Sequence, residues 1–517
     1  MRKSVIVTGL IVLGAVFQLS SAQDTDKVEL TLEDCIVKAL EKNLDIKVQA
    51  YNPEINDVAV SQAKEAFLPK MNFYYLNESQ NNVGSWWLEG TNYSTDYNQY
   101  YLNLRQRILT GTEFSLLYYN TTTDTTRNFT SINPTYNNQL RLNINQPLLK
   151  DFGPLVNRYE IKRAQNQRDI SVLDLNRTIT EKVFEVERVY WNLVNAIENL
   201  RVRQLALAQV QQQLENTREA ARVGTKSAID VLYAETEVVN NEGLVLSARA
   251  QLETFEDQLK ALLNLPPDGL ESFKAIIPLD KPTLEKPTVS FEEALEISLE
   301  RNPQIMRIKK ELENSSLVIR YHRNQLLPQL NLNFSLWYYG QGGVRNLYQD
   351  NNPFTGVIVD QVESTRWDAF KDILDRKYQN WRVEVQFNIP LENFFSRAGL
   401  AQAKLEEEKM LLEKDKEEKA VYYEILEIYK TLRNREKTME STTRSREMME
   451  KKVEVEEQRY RLGLVQSSEW LFQYQRQLAE AKAREIKAVI DYKIAVAQLE
   501  KAMGISLDKK NLAFEGY

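Results

Sequence analysis

The 517-residue chain contains one cysteine and one histidine. This scarcity excludes an intramolecular disulfide framework, and it argues against a Cys/His zinc site, a haem site and a Cys/His catalytic pair. Glycine (17) and proline (14) are also sparse, which predicts few turns and long uninterrupted elements. With 66 basic and 73 acidic residues, the net charge of −7 argues against nucleic acid as a partner, because phosphate binding needs a positive surface.

Long apolar runs are absent except at the N-terminus. There, Arg2 and Lys3 precede an apolar run over residues 5–19, and Ser20, Ser21 and Ala22 follow it. This order predicts a secretory signal peptide over residues 1–22, and a membrane anchor helix is the alternative. Since no other stretch approaches the ~20 apolar residues of a spanning helix, any membrane crossing by the mature chain has to be made by strands.

The chain repeats itself. Residues 31–43 resemble residues 290–302 at an offset of 259, and Pro69 and Pro328 keep that offset. Further landmarks recur in the same order, each half reading as helix, proline, strand region, proline, very long helix, glycine and helix. We therefore predict two structural repeats, over residues 23–265 and 288–504, with a proline-rich join over 266–287 and a tail over 505–517.

Very long helices are the strongest local signal, because no proline occurs between Leu155 and Leu265 or after Pro390. Apolar residues recur every seven positions in the first stretch, at Val172, Ile179, Val186, Leu193, Leu200, Leu207 and Leu214. This spacing predicts a coiled-coil seam, which should loosen where Gln204 and Gln211 replace apolar companions. Residues 154–223 would form a rod of about 105 Å, which is unlike the interior of a compact enzyme.

Two glycines mark the ends of the long helices. Gly224 and Gly463 each follow basic residues, as is typical of a helix C-terminus, so we predict a helix hairpin at each of these tips. The alternative is a glycine tolerated inside one continuous helix, which destabilises it by about 1 kcal/mol.

Between the prolines the apolar period changes to two, which predicts strands with one apolar face. Residues 381–389 alternate over nine positions, close to the ~9–11 of a tilted membrane strand, and aromatic residues crowd the strand ends. Phe114, Leu116 and Tyr118 predict an additional hairpin in the first repeat, for which an external loop is the alternative. A periplasmic β-sandwich would explain the same alternation.

This doubled order of motifs resembles the TolC family of outer membrane efflux proteins. The resemblance rests on Leu-Pro before a strand, at Leu68 and Leu327, on the proline exits at Pro147 and Pro390, and on the Arg-x-Gly tips. It implies an α+β membrane protein, a homotrimer whose strands close one β-barrel in the outer membrane and whose helices continue it as a periplasmic coiled-coil barrel. It further implies a passive exit duct for efflux or type I secretion, without cofactor or metal, that docks to a periplasmic adaptor (membrane fusion) protein and an inner-membrane pump of the RND or ABC type.

The resemblance also implies functional positions near the tips. An acidic residue six positions after each tip glycine helps to close the periplasmic aperture in the family, and Asp230 and Glu469 occupy those positions. Tyr460 matches a family tyrosine, whereas Phe472 replaces an expected acid, so closure could rest on aromatic packing here. We expect adaptor docking at the tips themselves: Arg222, Val223, Gly224 and Thr225 in the first repeat, and Arg461, Leu462, Gly463 and Leu464 in the second.

Two other functional classes remain open at this point. A periplasmic coiled-coil adaptor would share the heptads but should lack a set of lipid-facing strands. An enzyme would need a convergent polar pocket, and the sequence contains no P-loop, no dinucleotide-binding glycine motif and no histidine-centred base or metal cluster.

Overall fold

The computed structural model describes residues 27–84, 92–127, 130–265, 275–281, 289–389, 394–462 and 469–510. The predicted signal peptide, most of the proline-rich join, Gly463, Leu464 and residues 511–517 of the tail lie outside the described residues. None of the described helices combines the length and low charge that a membrane-spanning helix requires.

The elements follow each other in the predicted order, and the second repeat broadly reproduces the first. The first repeat contains β1 Lys27–Leu30, α1 Leu32–Lys42, α2 Leu44–Lys64, β2 Lys70–Val83, β3 Asn92–Arg107, β4 Glu113–Thr125, β5 Ile132–Pro147, α3 Pro154–Asn157, α4 Tyr159–Arg222 and α5 Ala228–Leu262. The join contributes β6 Ala275–Pro278, which pairs in parallel with β1. The second repeat contains α6 Phe291–Arg301, α7 Pro303–Gln325, β7 Gln329–Tyr348, β8 Ile358–Ser364, α8 Arg366–Leu374, β9 Gln379–Asn388, α9 Phe394–Arg461 and α10 Glu469–Ala502, followed in the tail by α11 Ser506–Lys509.

The chain divides into two compact units. One comprises the described parts of residues 1–47, 179–291 and 425–510, and it is helical apart from β1 and β6. The other comprises the described parts of residues 48–178 and 292–424, and it holds a seven-stranded sheet.

The helical unit is built on the predicted heptad seam. Ile179, Val186 and Leu193 are fully buried, whereas Leu200 and Leu207 are only partly buried. Leu214, the seam residue nearest the tip, is buried again, so the packing loosens in the middle of α4 and not at its tip end as predicted. The weaker heptads of α9 are buried as well, at Ile425, Leu432, Met439 and Val453. Burial of this seam supplies most of the stability of such helices, since helix propensity alone is weak.

A polar contact ties the seam to the small parallel sheet. The hydroxyl of Tyr190, a fully buried residue on α4, lies 2.8 Å from Asp280 Oδ2 and 3.2 Å from the carbonyl oxygen of Leu30. The same carboxylate oxygen accepts a hydrogen bond from the backbone N–H of Leu32 at 2.7 Å. Burial, together with the hydrogen bond to Asp280, raises the pKa of Tyr190 above its ordinary value, so the phenol stays protonated and α4 is held to β1.

The large sheet is antiparallel throughout, in the order β2-β3-β4-β5-β7. Both β8 and β9 pair with the remaining side of β7, β8 with residues 343–348 and β9 with residues 329–338. Strand β4 contains Phe114, Leu116 and Tyr118, which confirms the predicted additional hairpin and shows the external-loop alternative to be wrong.

Side chains of opposite character line the two faces of this sheet, because directly paired residues of antiparallel strands point to the same side. One row across the sheet consists of Met71, Leu104, Leu116, Leu142, Leu336 and Trp381. A row on the other face consists of Lys70, Arg105, Ser115, Asn143, Ser335 and Arg382. The described part of this unit contains a single sheet whose apolar residues stay largely exposed, so the β-sandwich alternative lacks its second sheet.

Candidate functional site

The first tip is a helix C-terminus that reverses at glycine. After α4 ends, the N–H of Gly224 donates to Ala221 O at 3.0 Å and that of Thr225 donates to Ala220 O at 2.9 Å. Gly224 has φ of +82°, a left-handed conformation that favours glycine and allows the chain to turn back into α5. One helix therefore ends before this glycine and the next begins at Ala228, which is the local geometry that a hairpin tip requires.

A capping box begins the returning helix. Ser227 is the N-cap of α5, and its hydroxyl oxygen accepts a hydrogen bond from the N–H of Asp230 at 3.3 Å. In return, Asp230 Oδ2 accepts from the N–H of Ser227 at 2.9 Å and from its hydroxyl at 2.7 Å. These hydrogen bonds from Ser227 lower the pKa of Asp230, which is therefore a carboxylate at neutral pH. The Ser-x-x-Asp spacing is the feature of the sequence that indicates such a capping box.

Phe472 packs inside the chain. Its side chain is only 6% exposed and belongs to a cluster with Val210 and Leu214 of α4 and Ala234 of α5. Val231 and Val238 pack against this cluster. Phe472 thus joins the start of α10 to the α4–α5 hairpin, which gives it a packing role in the single chain.

The cluster also relates the two predicted acidic positions. Phe472 lies about one turn after Glu469, the first residue of α10, and it packs against Ala234, about one turn after Asp230. The starts of α5 and α10 therefore lie side by side. The side chains of Glu469 and Tyr460 lie outside the described residues, so only their backbone places, at the start of α10 and near the end of α9, are known.

Ion pairs link the helices around this cluster. Arg218 of α4 contacts Glu235 of α5 at 2.8 Å, and Arg446 of α9 contacts Glu485 of α10 at 2.8 Å. Arg476 of α10 lies 3.8 Å from Glu237 of α5. The exposed pair of Arg218 with Glu235 contributes only ~0–1 kcal/mol, whereas the side chains of Arg446 and Glu485 are mostly buried. The sequence does not reveal these pairs, because their partners meet only through the reversal of the chain.

Each tip also presents an apolar side chain to solvent. Val223 is 70% exposed at the first tip, and Leu462 is 73% exposed directly after α9. Arg222 forms an ion pair with Glu219 at 2.9 Å, and the hydroxyl of Thr225 donates to Ala220 O at 2.8 Å. The predicted docking residues of the first tip are thus held in a defined turn that exposes the apolar side chain of Val223 beside the charged Arg222.

The chemistry of the site is not that of a metal or nucleophile centre. Within the described ranges, no cluster of histidine, cysteine, aspartate and glutamate could hold a metal ion. Cys35 is a buried thiol, and burial raises its pKa to about 12, which keeps it protonated and inert.

A two-repeat chain that combines a sheet with one exposed apolar face and long helical hairpins has the architecture of an outer membrane channel. The chain belongs to the outer membrane efflux protein family, whose sequence profile matches residues 35–265 and 294–505. This match confirms the predicted family. Its members are passive channels and not enzymes.

Solved structures of outer membrane channels resemble the whole chain. The structure of CusC, described in connection with folding and transmembrane channel formation, has a TM-score of 0.63 and 13% identity, covering 95% of each chain. The open-state MtrE channel of Neisseria gonorrhoeae has a TM-score of 0.60 and 16% identity, covering 92% of this chain and 89% of its own. The CmeC channel of Campylobacter jejuni has a TM-score of 0.58 and 15% identity, covering 92% and 86%. At these identities the likeness shows the fold, and no curated protein matches the sequence.

The capping box leads to a testable prediction about the tip. Ser227→Ala should remove about 0.5–2 kcal/mol of local helix stability and raise amide hydrogen exchange over residues 228–231 several-fold. Because the folded-state pKa of Asp230 is lowered, its contribution should persist above about pH 4 and disappear as the pH falls through the lowered value. Hydrogen-exchange mass spectrometry at several pH values measures both effects.

Thr31→Ala provides the control for this measurement, since Thr31 and Asp34 form the equivalent box at α1. It should increase exchange at the start of α1 and leave α5 unchanged. Unchanged exchange at α5 in Ser227→Ala would show that the box contributes nothing to the tip.

Proposed function

We propose that the protein is a passive outer membrane exit duct that works as a homotrimer with a periplasmic adaptor and an inner-membrane pump. The observation that carries this proposal is the large sheet, which exposes an apolar face and, among the described residues, leaves the outer edges of β2 and β9 unpaired. Exposed sheet edges cannot face lipid, since each unpaired backbone group costs several kcal/mol there. Joining the edges of neighbouring copies removes them.

The strand directions support this closure. Strands β2, β4 and β7 run one way and β3, β5 and β9 run the other way, so β9 of one copy can pair in antiparallel fashion with β2 of the next. Each chain is six strands wide, because β8 and β9 share one side of β7. Three copies of six strands would form an 18-stranded barrel. If each of the two repeats contributed only two strands, three copies would form a barrel of twelve. Barrels of about 16–18 strands enclose an aqueous channel.

The polar face of the sheet would then line that channel, and the apolar rows would face lipid. A coiled-coil adaptor remains the second candidate, but it would have no use for an apolar sheet face of this extent. The family and the channel folds it matches support an outer membrane location, with the helical unit in the periplasm.

For the periplasmic aperture we propose that Asp230 and Glu469 form rings of carboxylates at the convergence of the helices. The pairing of the α5 and α10 starts through Phe472 supports this placement, because it brings the two acidic positions to similar points on adjacent helices. Tyr460, from the end of α9, would complete the constriction. The buried Phe472 would contribute to closure by fixing α10 against the hairpin, and not by lining the opening.

For docking we propose the two tips, Arg222, Val223, Gly224 and Thr225 together with Arg461, Leu462, Gly463 and Leu464. The exposed apolar residues Val223 and Leu462 support this assignment, since exposed apolar side chains at the ends of long helices suit contact with a helical hairpin of an adaptor. The tips are proposed to contact the adaptor, so they are compatible with an inner-membrane pump of either the RND or the ABC type.

Crosslinking of the sheet edges tests the trimer. Phe73→Cys on β2 combined with Val383→Cys on β9 should yield covalent dimers and trimers in the outer membrane fraction after treatment with a short bis-thiol crosslinker. The control pair Phe73→Cys with Leu116→Cys, which lies on the central strand β4, should yield no intermolecular products. Recovery of the edge pair as a monomer in the soluble periplasmic fraction would contradict the channel proposal.

Substitution of the exposed apolar residues tests the docking tips. Val223→Glu together with Leu462→Glu should reduce efflux at least tenfold while trimers still form, because a charged side chain would have to be desolvated at the adaptor contact. Efflux is measured by accumulation of a pump substrate in cells, and assembly by native electrophoresis. Val223→Ile is the conservative control, and normal efflux in the double glutamate variant would place docking elsewhere.

Planar bilayer recordings test the aperture. Carboxylate rings should make conductance cation-selective and allow block by multivalent cations from the periplasmic side. Asp230→Asn combined with Glu469→Gln should weaken both effects by several-fold. Ser227→Ala is the control, since it breaks the capping box but keeps the charge, and it should preserve selectivity. Unchanged selectivity and block in the double variant would place these carboxylates outside the tunnel.

A further inference from the structure

The short helix α8 interrupts a descending strand of the large sheet. Ser364 at the end of β8 pairs with Gly343, and Gln379 at the start of β9 pairs with Tyr338. Gly343 and Tyr338 lie five positions apart on β7, whereas Ser364 and Gln379 lie fifteen positions apart in the chain. A continuous strand would need only five positions, so ten residues are in excess. Helix α8 occupies this excess length, so it is an insertion within a single strand path.

The insertion lies flat on one face of the sheet. A Cβ atom on Gly340 would be 1.9 Å from the carbonyl oxygen of Ala369, and one on Gly342 would be 2.7 Å from that of Thr365. Ala369 is fully buried, and the ring of Phe370 contacts that of Tyr118 edge-on, with ring centres 6.0 Å apart. The two glycines therefore allow the helix backbone to rest on β7.

Helix α8 covers the apolar face of the sheet. It lies over the rows in which the residues of that face change from apolar to polar. The row beneath the helix contains Tyr100, Asn120, Asn138 and Gly340, and the next row outward contains Asn98, Thr122, Tyr136 and Gly342. On the same face, the rows between the helix and the start of β7 consist mainly of leucine, phenylalanine and tyrosine. Helix α8 therefore marks the end of the apolar band.

Polar groups under the helix explain why a cover is needed there. Asn120 and Asn138 are almost completely buried, and the amide of Asn120 donates to that of Asn138. The Asn138 amide in turn donates to the carbonyl oxygen of Arg366 at 3.4 Å. Amides left uncovered on a lipid-facing surface would be costly, because hydrocarbon offers no hydrogen-bond partner.

The outward surface of α8 is divided into two flanks. Trp367 and Leu374 are 58% and 60% exposed and lie seven residues apart, so they share one flank. Lys371, four residues after Trp367, belongs to the same flank, and its ammonium reaches across to Asp368 at 3.7 Å. The other flank carries Asp368, Asp372 and Asp375, of which Asp372 pairs with Lys377 at 3.1 Å. Tryptophan, leucine and a lysine that can extend toward water are typical of a helix at a membrane surface.

The height of the helix agrees with such a location. From Leu330 to Gly340, β7 rises ten residues, or about 34 Å along the strand at ~3.4 Å each. At a tilt of ~40° this is about 26 Å along the membrane normal, which equals the ~25 Å height of the apolar band of an outer membrane barrel.

We propose that α8 is an interfacial anchor, whose Trp367–Lys371–Leu374 flank lies in the lipid at the boundary between headgroups and acyl chains, at the end of the sheet opposite the Gln329–Asn388 pair. This inference rests on the proposed membrane location of the sheet. The continuity of α8 with the apolar rows identifies lipid as the occupant, and the acidic flank faces water.

Site-specific fluorescence in lipid vesicles tests the anchor. Single cysteines are introduced as Trp367→Cys, Leu374→Cys and Asp375→Cys in the full chain, labelled with an NBD dye and reconstituted as trimers into phosphatidylcholine–phosphatidylglycerol vesicles. Native Cys35 is fully buried and does not compete for the label. A nitroxide near the top of the acyl chain should reduce the emission at 367 and 374 at least twofold more than at 375, whereas aqueous iodide should quench 375 most strongly.

A labelled Val385→Cys on the apolar face of β9 separates the inference from the proposed function. If 385 is quenched by nitroxide lipids while 367 and 374 respond to iodide as 375 does, the anchor is overturned and the membrane location stands. If 385 is also inaccessible to nitroxide lipids, both fail. Labels at 367 and 374 that are shielded from lipid and from iodide alike would show protein covering α8, which also overturns the anchor.

Discussion

Backbone hydrogen bonding is the constraint on which the sheet depends. In water an open strand edge is tolerated, but in hydrocarbon every unpaired N–H and C=O lacks a partner. The rows from Met71 to Trp381 give this sheet a continuous apolar face, and within the described residues the outer edges of β2 and β9 are unpaired. The apolar face is suited to lipid but the open edges are not, and the proposed association of copies satisfies both conditions.

The helical unit solves a different problem, since a helix satisfies its own backbone and needs only a partner for its apolar stripe. Its seam is densest around Val186 and Tyr190 and becomes looser at Leu200 and Leu207. The cluster around Phe472 restores packing close to the tip, where exposed ion pairs add little. A tip held by a few apolar contacts and a capping box has low local stability, which suits a segment expected to move when an aperture opens.

Much of this organisation could be predicted from the sequence. The repeat, the long helices, the reversal at Gly224 and the alternating strands follow from periodicity and from the positions of proline and glycine, which act within a few residues of themselves. The family was indicated by the resemblance of their doubled order to a known family, and the family match agrees with it. The capping box at Ser227 was equally local and could have been found. Of the predicted site residues, the first tip has the expected geometry, whereas the aperture role of Asp230 and Glu469 remains a proposal.

Other features depended on the tertiary structure. The burial of Phe472, the contact of Tyr190 with Asp280 and the pair between Arg446 and Glu485 join residues that are distant in the chain, so no local period reveals them. The path of α8 is the clearest case, because its sequence signals only a short helix. Helix α8 lies on Gly340 because of the register in which β7 pairs with β8 and β9. That register is set by the pairing of whole strands and not by any one segment. The sequence by itself thus determined the elements and the repeat, and the tertiary structure decided which faces and edges meet.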